Sequence, residues 1–308
     1  MSSENISRRT FLTSMALTIM ATSIEGVGQD VHNKNDIGLA LGGGGARGLA
    51  HVLMFEVFDE LGIKPARMAG TSIGAIMGAL YASGHSAKDI RELIDAWIRT
   101  EHVKWTRAIV SMSVFKWIDL IDPGIGKGGL INTEKFLGFL HQAIKYSTFE
   151  DLSIPLYIVA TDYWKGEQVV FEKGELLPAV KASMALPGVF EPVGIDNRIF
   201  IDGGAVNPLP YDLLQNQCGI TVAIDVSGNI SEKVSGIPSF FDTIFHTFHI
   251  MGQAILDDKL KLRQPDIYIK PDITEIKVLD FLKTNDIYRQ AGPAKERLKR
   301  RLGEILGS

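Results

Sequence analysis

One serine stands between two glycines in Gly70-Thr71-Ser72-Ile73-Gly74, directly ahead of the small-residue run Ala75-Ile76-Met77-Gly78-Ala79-Leu80. This G-x-S-x-G spacing is that of a nucleophile elbow. A sharp strand-to-helix turn forces the serine into a strained backbone conformation, so the residues two before and two after it must be nearly free of side chain. Gly70 and Gly74 meet that need. The turn lifts the hydroxyl out of a sheet and sets it at a helix N-terminus, whose unpaired N–H groups favour the negative charge of an attack. Ser72 is therefore the candidate nucleophile. A Gly/Ser-rich helix start has the same composition, so other segments must decide.

A second glycine cluster, Gly42-Gly43-Gly44-Gly45-Ala46-Arg47-Gly48, follows the apolar strand Ile37-Gly38-Leu39-Ala40-Leu41. Consecutive glycines let successive N–H groups turn toward one point, which makes an anion-binding nest at a helix N-terminus. Gly43, Gly45 and Gly48 fit the G-x-G-x-x-G of dinucleotide-binding folds, and a nucleotide-dependent oxidoreductase is one reading. That reading wants an acidic ribose partner about 20 positions on, where this chain has Arg67-Met68-Ala69-Gly70. A P-loop fails because Leu49, not lysine, follows Gly48. What remains is an oxyanion hole made by the amides of Gly43, Gly44 and Gly45. Arg47 braces this loop, meets an anionic lipid head group, or is simply a surface arginine.

A serine nucleophile needs a base. The chain order Ser, Asp, His allows a triad of Ser72, Asp202 and His246 or His249. Both histidines, however, sit in Phe240-Phe241-Asp242-Thr243-Ile244-Phe245-His246-Thr247-Phe248-His249, a run with helical spacing of aromatics and no loop signal. The stripe Phe241, Ile244, Phe245 and Phe248 reads as core or as a lipid dock, and Asp242, His246 and His249 form an incomplete metal face. Asp202-Gly203-Gly204 follows the short apolar strand Arg198-Ile199-Phe200-Ile201, and its glycines let a carboxylate come close to another backbone.

Gly-Gly-Gly-x-Arg-Gly at Gly43 to Gly48, the Gly70 to Gly74 elbow and Asp202-Gly203-Gly204, in this order and approximate spacing, resemble the patatin-like phospholipase family. The likeness is greatest to its bacterial branch related to the catalytic domain of neuropathy target esterase. Ala160-Thr161-Asp162, Ala182-Ser183-Met184-Ala185-Leu186-Pro187-Gly188-Val189-Phe190 and Asn207-Pro208-Leu209-Pro210 agree with it, and it covers roughly Ile37 to Val226. The resemblance implies a three-layer α/β sandwich and a Ser72–Asp202 dyad with no histidine. It implies Arg47, Gly48, Gly70, Gly74, Gly203 and Gly204 as supporting residues, no metal or organic cofactor, and a lipid or acyl-ester substrate. The expected activity is that of a phospholipase A or lysophospholipase-type esterase. The alternatives are a non-catalytic acyl-binding or lipid-binding module of the same fold and an esterase with the Ser72-Asp202-His246 triad. An aspartate with a pKa near 3.9 is a feeble base, so the dyad asks its site to desolvate the carboxylate and stabilise the oxyanion.

The elements that must position these residues alternate. Strand-length apolar runs at 37–41, 67–69, 156–160, 168–171, 199–201, 220–226 and 267–269 interleave with helical segments at 49–61, 74–82, 87–99, 133–144, 177–184, 240–261 and 294–306. This pattern predicts a mainly parallel central sheet flanked by helices. The stretch from His102 to Leu130, rich in aromatics and then glycine, reads as a flap over an acyl site or as a helix packed on the core. With 308 residues, 45% hydrophobic and 22% charged, the chain is ordinary globular material, and a net charge of −4 argues against nucleic-acid binding. A single cysteine, Cys218, excludes an internal disulfide. The C-terminal cations Lys295, Arg297, Lys299, Arg300 and Arg301 read as a solvated helix face or a contact with anionic lipid, so peripheral membrane contact stays among the expectations. Ser7-Arg8-Arg9-Thr10-Phe11-Leu12 and the modest apolar run behind it resemble a twin-arginine export signal. The expected division is a signal and linker over 1–35 and one catalytic domain over 36–308, exported to the periplasm or beyond, the alternative being a cytoplasmic or membrane-peripheral protein.

Overall fold

Alternating strand and helix segments fold into a single mixed sheet with helices on both faces. The computed structural model describes residues 35–98, 133–229 and 240–307. The leader expected over 1–35 lies outside them but for Asn35, and the segment 102–130 lies outside them altogether. The sheet has eight strands among the described residues. They are β1 (Ile37–Leu41), β2 (Arg67–Thr71), β3 (Leu156–Asp162), β4 (Glu167–Phe171), β5 (Val193–Ile195), β6 (Arg198–Asp202), β7 (Ile220–Ile224) and β8 (Ile267–Ile269). The helices are α1 (His51–Leu61), α2 (Ile73–Ala82), α3 (87–98), α4 (Thr133–Ala143), α5 (Leu176–Ser183), α6 (Phe240–Leu262) and α7 (Thr284–Leu306).

Strand order is β5-β6-β3-β2-β1-β7-β8, with β4 also on β3. The five strands β3, β2, β1, β7 and β8 are mutually parallel, while β4 and β6 run antiparallel to β3, and β5 antiparallel to β6. Period-two alternation divides the strand side chains between two cores. Leu39, Leu41, Met68, Ile158 and Val222 pack with α1, α2 and α7 on one face. Ala40, Ala69, Tyr157 and Ala223 pack with Leu209, Tyr211 and Leu256 on the other. The sequence-based boundaries differ most at α7, which begins ten residues earlier than 294 and runs through Pro293. Its apolar period, Ile287, Ala291, Ala294, Leu298 and Leu302, continues across the proline, and all five are buried. That burial outweighs one lost backbone bond. The basic run on this helix is largely paired within the protein: Lys295 with Glu56 and Glu60, and Lys299 with Glu60.

The register on β3 positions the site. β4 occupies one edge from Ile158 to Asp162. On the other edge β2 runs alongside as far as Thr71 opposite Val159, and β6 arrives from the opposite direction with Asp202 opposite Ala160. The two strands thus meet end to end, with Ser72 the residue after β2 and Asp202 the last residue of β6. Gly203 completes the junction, since a Cβ there would lie 2.2 Å from the Val159 carbonyl oxygen. Gly203→Ala is expected to lower stability by about 2 kcal/mol in urea unfolding. Gly138→Ala, whose Cβ would meet nothing within 4 Å, should leave it within about 1 kcal/mol.

Candidate active site

Ser72 holds φ 58° and ψ −124° between β2 and α2, a backbone conformation that a side-chain-bearing residue adopts only when its surroundings impose it. Here they do: the Ser72 N–H donates to the buried Ser183 Oγ at 2.9 Å. Gly74 lets the turn come so close to β1 that a Cβ would sit 2.2 Å from the Leu41 carbonyl oxygen. Gly70 lies against the Gly74 carbonyl and Gly48 against Ile73 in the same way. Ser72 Oγ donates a 2.6 Å hydrogen bond to Asp202 Oδ2. Asp202 is 2% exposed, and its other carboxylate oxygen, Oδ1, accepts the Gly204 N–H at 2.7 Å. Its backbone is fixed as well: its N–H donates to the Ala185 carbonyl at 3.0 Å and its carbonyl accepts from Thr161 Oγ1 at 2.8 Å. Burial pushes the Asp202 carboxyl up to about 6, against the lowering effect of the Ser72 and Gly204 hydrogen bonds.

One of the three loop amides expected as oxyanion donors is taken up within the protein. The Gly43 N–H is already spent on the Pro208 carbonyl at 2.9 Å, as the Gly42 N–H is on Ile224 at 3.0 Å and the Ala46 N–H on Val278 at 2.8 Å. The amides left without a protein acceptor among the described residues are those of Gly44 and Gly45, and both residues line the same cavity as Ser72. Gly45 has φ +58°, a conformation natural to glycine. Gly43 keeps a positional role, since a Cβ there would stand 3.3 Å from Ser72 Cβ. Arg47 is no surface residue: it is 9% exposed, and its Nε donates to the Gly44 carbonyl at 3.3 Å.

The histidine triad does not form. Both Asp202 oxygens are filled by Ser72 and Gly204, and His246 is exposed on α6 with its ring near His249. His249 does line the cavity, but burial and the cations Arg47 and Lys270 pull its pKa down to about 4. Asp242 of the proposed metal face pairs with Lys277 at 3.0 Å. No group of three or more His, Cys, Asp or Glu side chains able to hold a metal occurs among the described residues.

Three supporting residues escaped sequence reasoning. His51, fully buried, places Nε2 3.0 Å from the Gly42 carbonyl, and burial pulls its pKa down to about 4. It is thus a neutral donor bracing the glycine loop; the signal was a polar residue opening an apolar helix. The other two explain the Asn-Pro-Leu-Pro motif. The Asn207 carbonyl accepts from Thr71 Oγ1 at 2.8 Å, next to Ser72, while the adjacent Pro208 carbonyl holds Gly43. Lys259 of α6 clamps this segment, donating to Asn207 Oδ1 at 2.7 Å and the Leu209 carbonyl at 2.9 Å, with an ion pair to Asp212. No sequence pattern links position 259 to 207. Beyond Ser72 the cavity is walled by apolar side chains, among them Ile76, Met184, Phe190, Phe245, Phe248 and Phe281.

The serine elbow, the aspartate at the end of β6 and the glycine loop define a patatin-type site, and the chain belongs to the patatin-like phospholipase family, whose model matches residues 39–214. Its relatives are NTE family proteins. The chain is 33% identical over 194 residues to an uncharacterized NTE family protein of Mycobacterium tuberculosis, covering 63% of this chain and 49% of that one. It is 33% identical over 196 residues to neuropathy target esterase sws of Drosophila melanogaster, covering 62% and 13%. It is 31% identical over 288 residues to patatin-like phospholipase domain-containing protein 7 of Rattus norvegicus, covering 84% and 20%. The chain thus spans about half the length of the mycobacterial relative and less of the others.

Because Lys259 ties α6 to the segment that anchors both the elbow and the glycine loop, Lys259→Met should loosen both. The expected result is labelling of Ser72 by a fluorophosphonate slowed by about tenfold with the melting temperature lowered by only a few degrees; labelling at the wild-type rate would mean that the clamp does not reach the nucleophile.

Proposed function

We propose that this chain is a serine lipid acyl hydrolase of phospholipase A or lysophospholipase type, working through a Ser72–Asp202 dyad with the Gly44 and Gly45 amides as oxyanion donors. The observation that carries the reading is the 2.6 Å hydrogen bond from Ser72 Oγ to a buried carboxylate, at an apolar cavity able to take an acyl chain. Membership of a phospholipase-like family supports it.

In the proposed cycle Ser72 Oγ attacks the ester carbonyl carbon as its proton passes to Asp202 Oδ2. The carbonyl oxygen becomes an oxyanion facing the two free loop amides, each worth about 3 kcal/mol to the transition state. Collapse of the tetrahedral intermediate breaks the bond to the alkoxy oxygen, which leaves as an alcohol or lysolipid with the proton from Asp202. Water then gives a proton to Asp202 and attacks the acyl-serine carbonyl carbon; collapse breaks the bond to Ser72 Oγ, which takes that proton back from Asp202, and the fatty acid departs. Desolvation makes this possible, because a carboxylate lifted to about 6 takes a proton more readily than a solvated one. The hydrogen bond fixes the direction of transfer before substrate arrives.

The same desolvation sets the pH dependence. Above about 6 Asp202 is ionised and accepts the Ser72 proton; as pH falls through that value the carboxylate is protonated and kcat should fall with it. Hydrolysis of a p-nitrophenyl ester followed against pH, with Ser72→Ala and Asp202→Asn alongside, checks this. Loss of activity in both variants and an acid limb near 6 in the wild type are expected, and wild-type rates in Ser72→Ala would refute the reading. Export belongs to the same proposal and is supported by Ser7-Arg8-Arg9-Thr10-Phe11-Leu12. Replacing both Arg8 and Arg9 with lysine should strand the protein in the cytoplasm in a fractionation experiment, and unchanged export would defeat it.

A further inference from the structure

Two backbone N–H groups hold the Ser72–Asp202 pair from behind, and both end on one short segment. The Ser72 N–H donates to Ser183 Oγ at 2.9 Å, and the Asp202 N–H to the Ala185 carbonyl at 3.0 Å. Ser183 is the last residue of α5 and is fully buried. Met184, between the two anchors, is pinned by its own carbonyl, which accepts the Leu186 N–H at 2.7 Å. The Leu186 carbonyl in turn accepts from the Val189 and Phe190 amides at 3.0 Å each. Two residues from separate strand ends are thus set against each other by a third element that belongs to neither strand.

The two anchors are not equivalent. A main-chain carbonyl, which any residue supplies, holds Asp202, and its place on β6 and the Thr161 hydroxyl hold it as well. Ser72 has less support, because β2 pairs with β3 only as far as Thr71. Its carbonyl is fixed by the Ala75 N–H at 2.9 Å in the first turn of α2, so its own N–H is the remaining handle on φ. Ser183 Oγ holds that handle. The grip works against strain, since φ 58° is a conformation that a serine leaves when nothing imposes it. Gly70 and Gly74 permit the turn by making room, but room does not impose it. Without Ser183 Oγ the amide loses its acceptor, and relaxation toward an ordinary φ swings Cβ, and Oγ with it, away from Asp202 Oδ2.

The geometry points to Ser183 as a positioning residue for the reaction: through the Ser72 N–H it keeps Ser72 Oγ on Asp202, and it does so from the segment that also anchors Asp202. This rests on the acyl-hydrolase reading above and adds to it a residue that never meets substrate. Ser183 is fully buried and stands behind the cavity wall, to which its neighbours Met184, Leu186, Val189 and Phe190 contribute. The serine of Ala182-Ser183-Met184-Ala185 thereby gains a chemical reason for being a serine: a side-chain acceptor is needed where the chain has just left a helix.

Kinetics and a titration test it together. In Ser183→Ala, kcat for a p-nitrophenyl ester should fall by about ten- to hundredfold, the range that a misplacement of up to about 1 Å commands. KM should stay within about twofold, because no contact with substrate is lost. Ser183→Cys keeps the bulk but offers only a weak acceptor, so its kcat should lie nearer to that of Ser183→Ala than to the wild type. The Asp202 carboxyl gives a readout that a loss of folded protein does not imitate. Burial raises its pKa and only the Ser72 and Gly204 hydrogen bonds lower it, so a weakened Ser72 bond moves the titration upward. Carbon-13 NMR of aspartate-labelled protein, with Asp202→Asn to assign the signal, should show a higher Asp202 midpoint in Ser183→Ala than in the wild type, shifted in the same direction as in Ser72→Ala. The acid limb of kcat should move with it. Wild-type kcat in either Ser183 variant, or a fall in kcat with the midpoint unmoved, overturns the assignment. A wild type that hydrolyses no ester would sink the hydrolase reading, and the Asp202 midpoint would still decide whether Ser183 holds the pair, so the two fail separately.

Discussion

Everything in the site depends on a serine hydroxyl and a carboxylate sharing a place from which water is excluded. The Ser72–Asp202 hydrogen bond joins the ends of two strands that approach each other along one edge of β3. Neither residue rests on a free loop, so the donor and acceptor need no search to find each other. In the proposed dyad no imidazole is needed, because burial lifts the carboxyl to about 6, the direction that receiving a proton requires. The Gly204 amide on the opposite oxygen keeps the carboxylate from rotating away.

The glycine loop that lines the cavity with Ser72 is held by ordinary backbone chemistry. Its neighbours Gly42, Gly43 and Ala46 donate to Ile224, Pro208 and Val278, and His51 and Arg47 donate to its carbonyls from the other side. Fixing the surrounding groups leaves the two intervening amides unpaired without letting them relax toward a protein acceptor. For the proposed oxyanion role this is preorganisation in a concrete sense: the cost of orienting the donors is met during folding and not during the reaction. Lys259 extends the same scaffold to a helix far along the chain.

The cavity divides differently from the Ser72–Asp202 pair. The matched family region ends at residue 214, and Ser72, Asp202 and the glycine loop all fall inside it. Phe245, Phe248, His249 and Phe281, which form part of the cavity wall, fall outside. The Ser72–Asp202 pair is therefore placed by the strand ends of the matched core, while α6 and the segment before α7 contribute a good part of the apolar cavity wall. That wall can change without disturbing the junction on β3.

The serine elbow and the Asp-Gly-Gly turn were legible in the sequence because both depend on local backbone constraints that only certain residues satisfy: a positive φ at Ser72, and approaches at Gly74 and Gly203 too close for any Cβ. Alternating apolar periods likewise announced the strands and most helices, while the three-residue β5 was too short to signal itself, and a proline masked the first turns of α7. Other facts waited for the fold. Which loop amides stay unpaired depends on the distant carbonyls of Pro208 and Val278. That Arg47 is buried with no carboxylate bonded to it depends on Asp225 and Asp280 having taken other partners. Residue type and spacing prescribe what one segment can adopt, but hydrogen-bond partners and burial are properties of segments brought together from across the chain, and only the packed structure decides those.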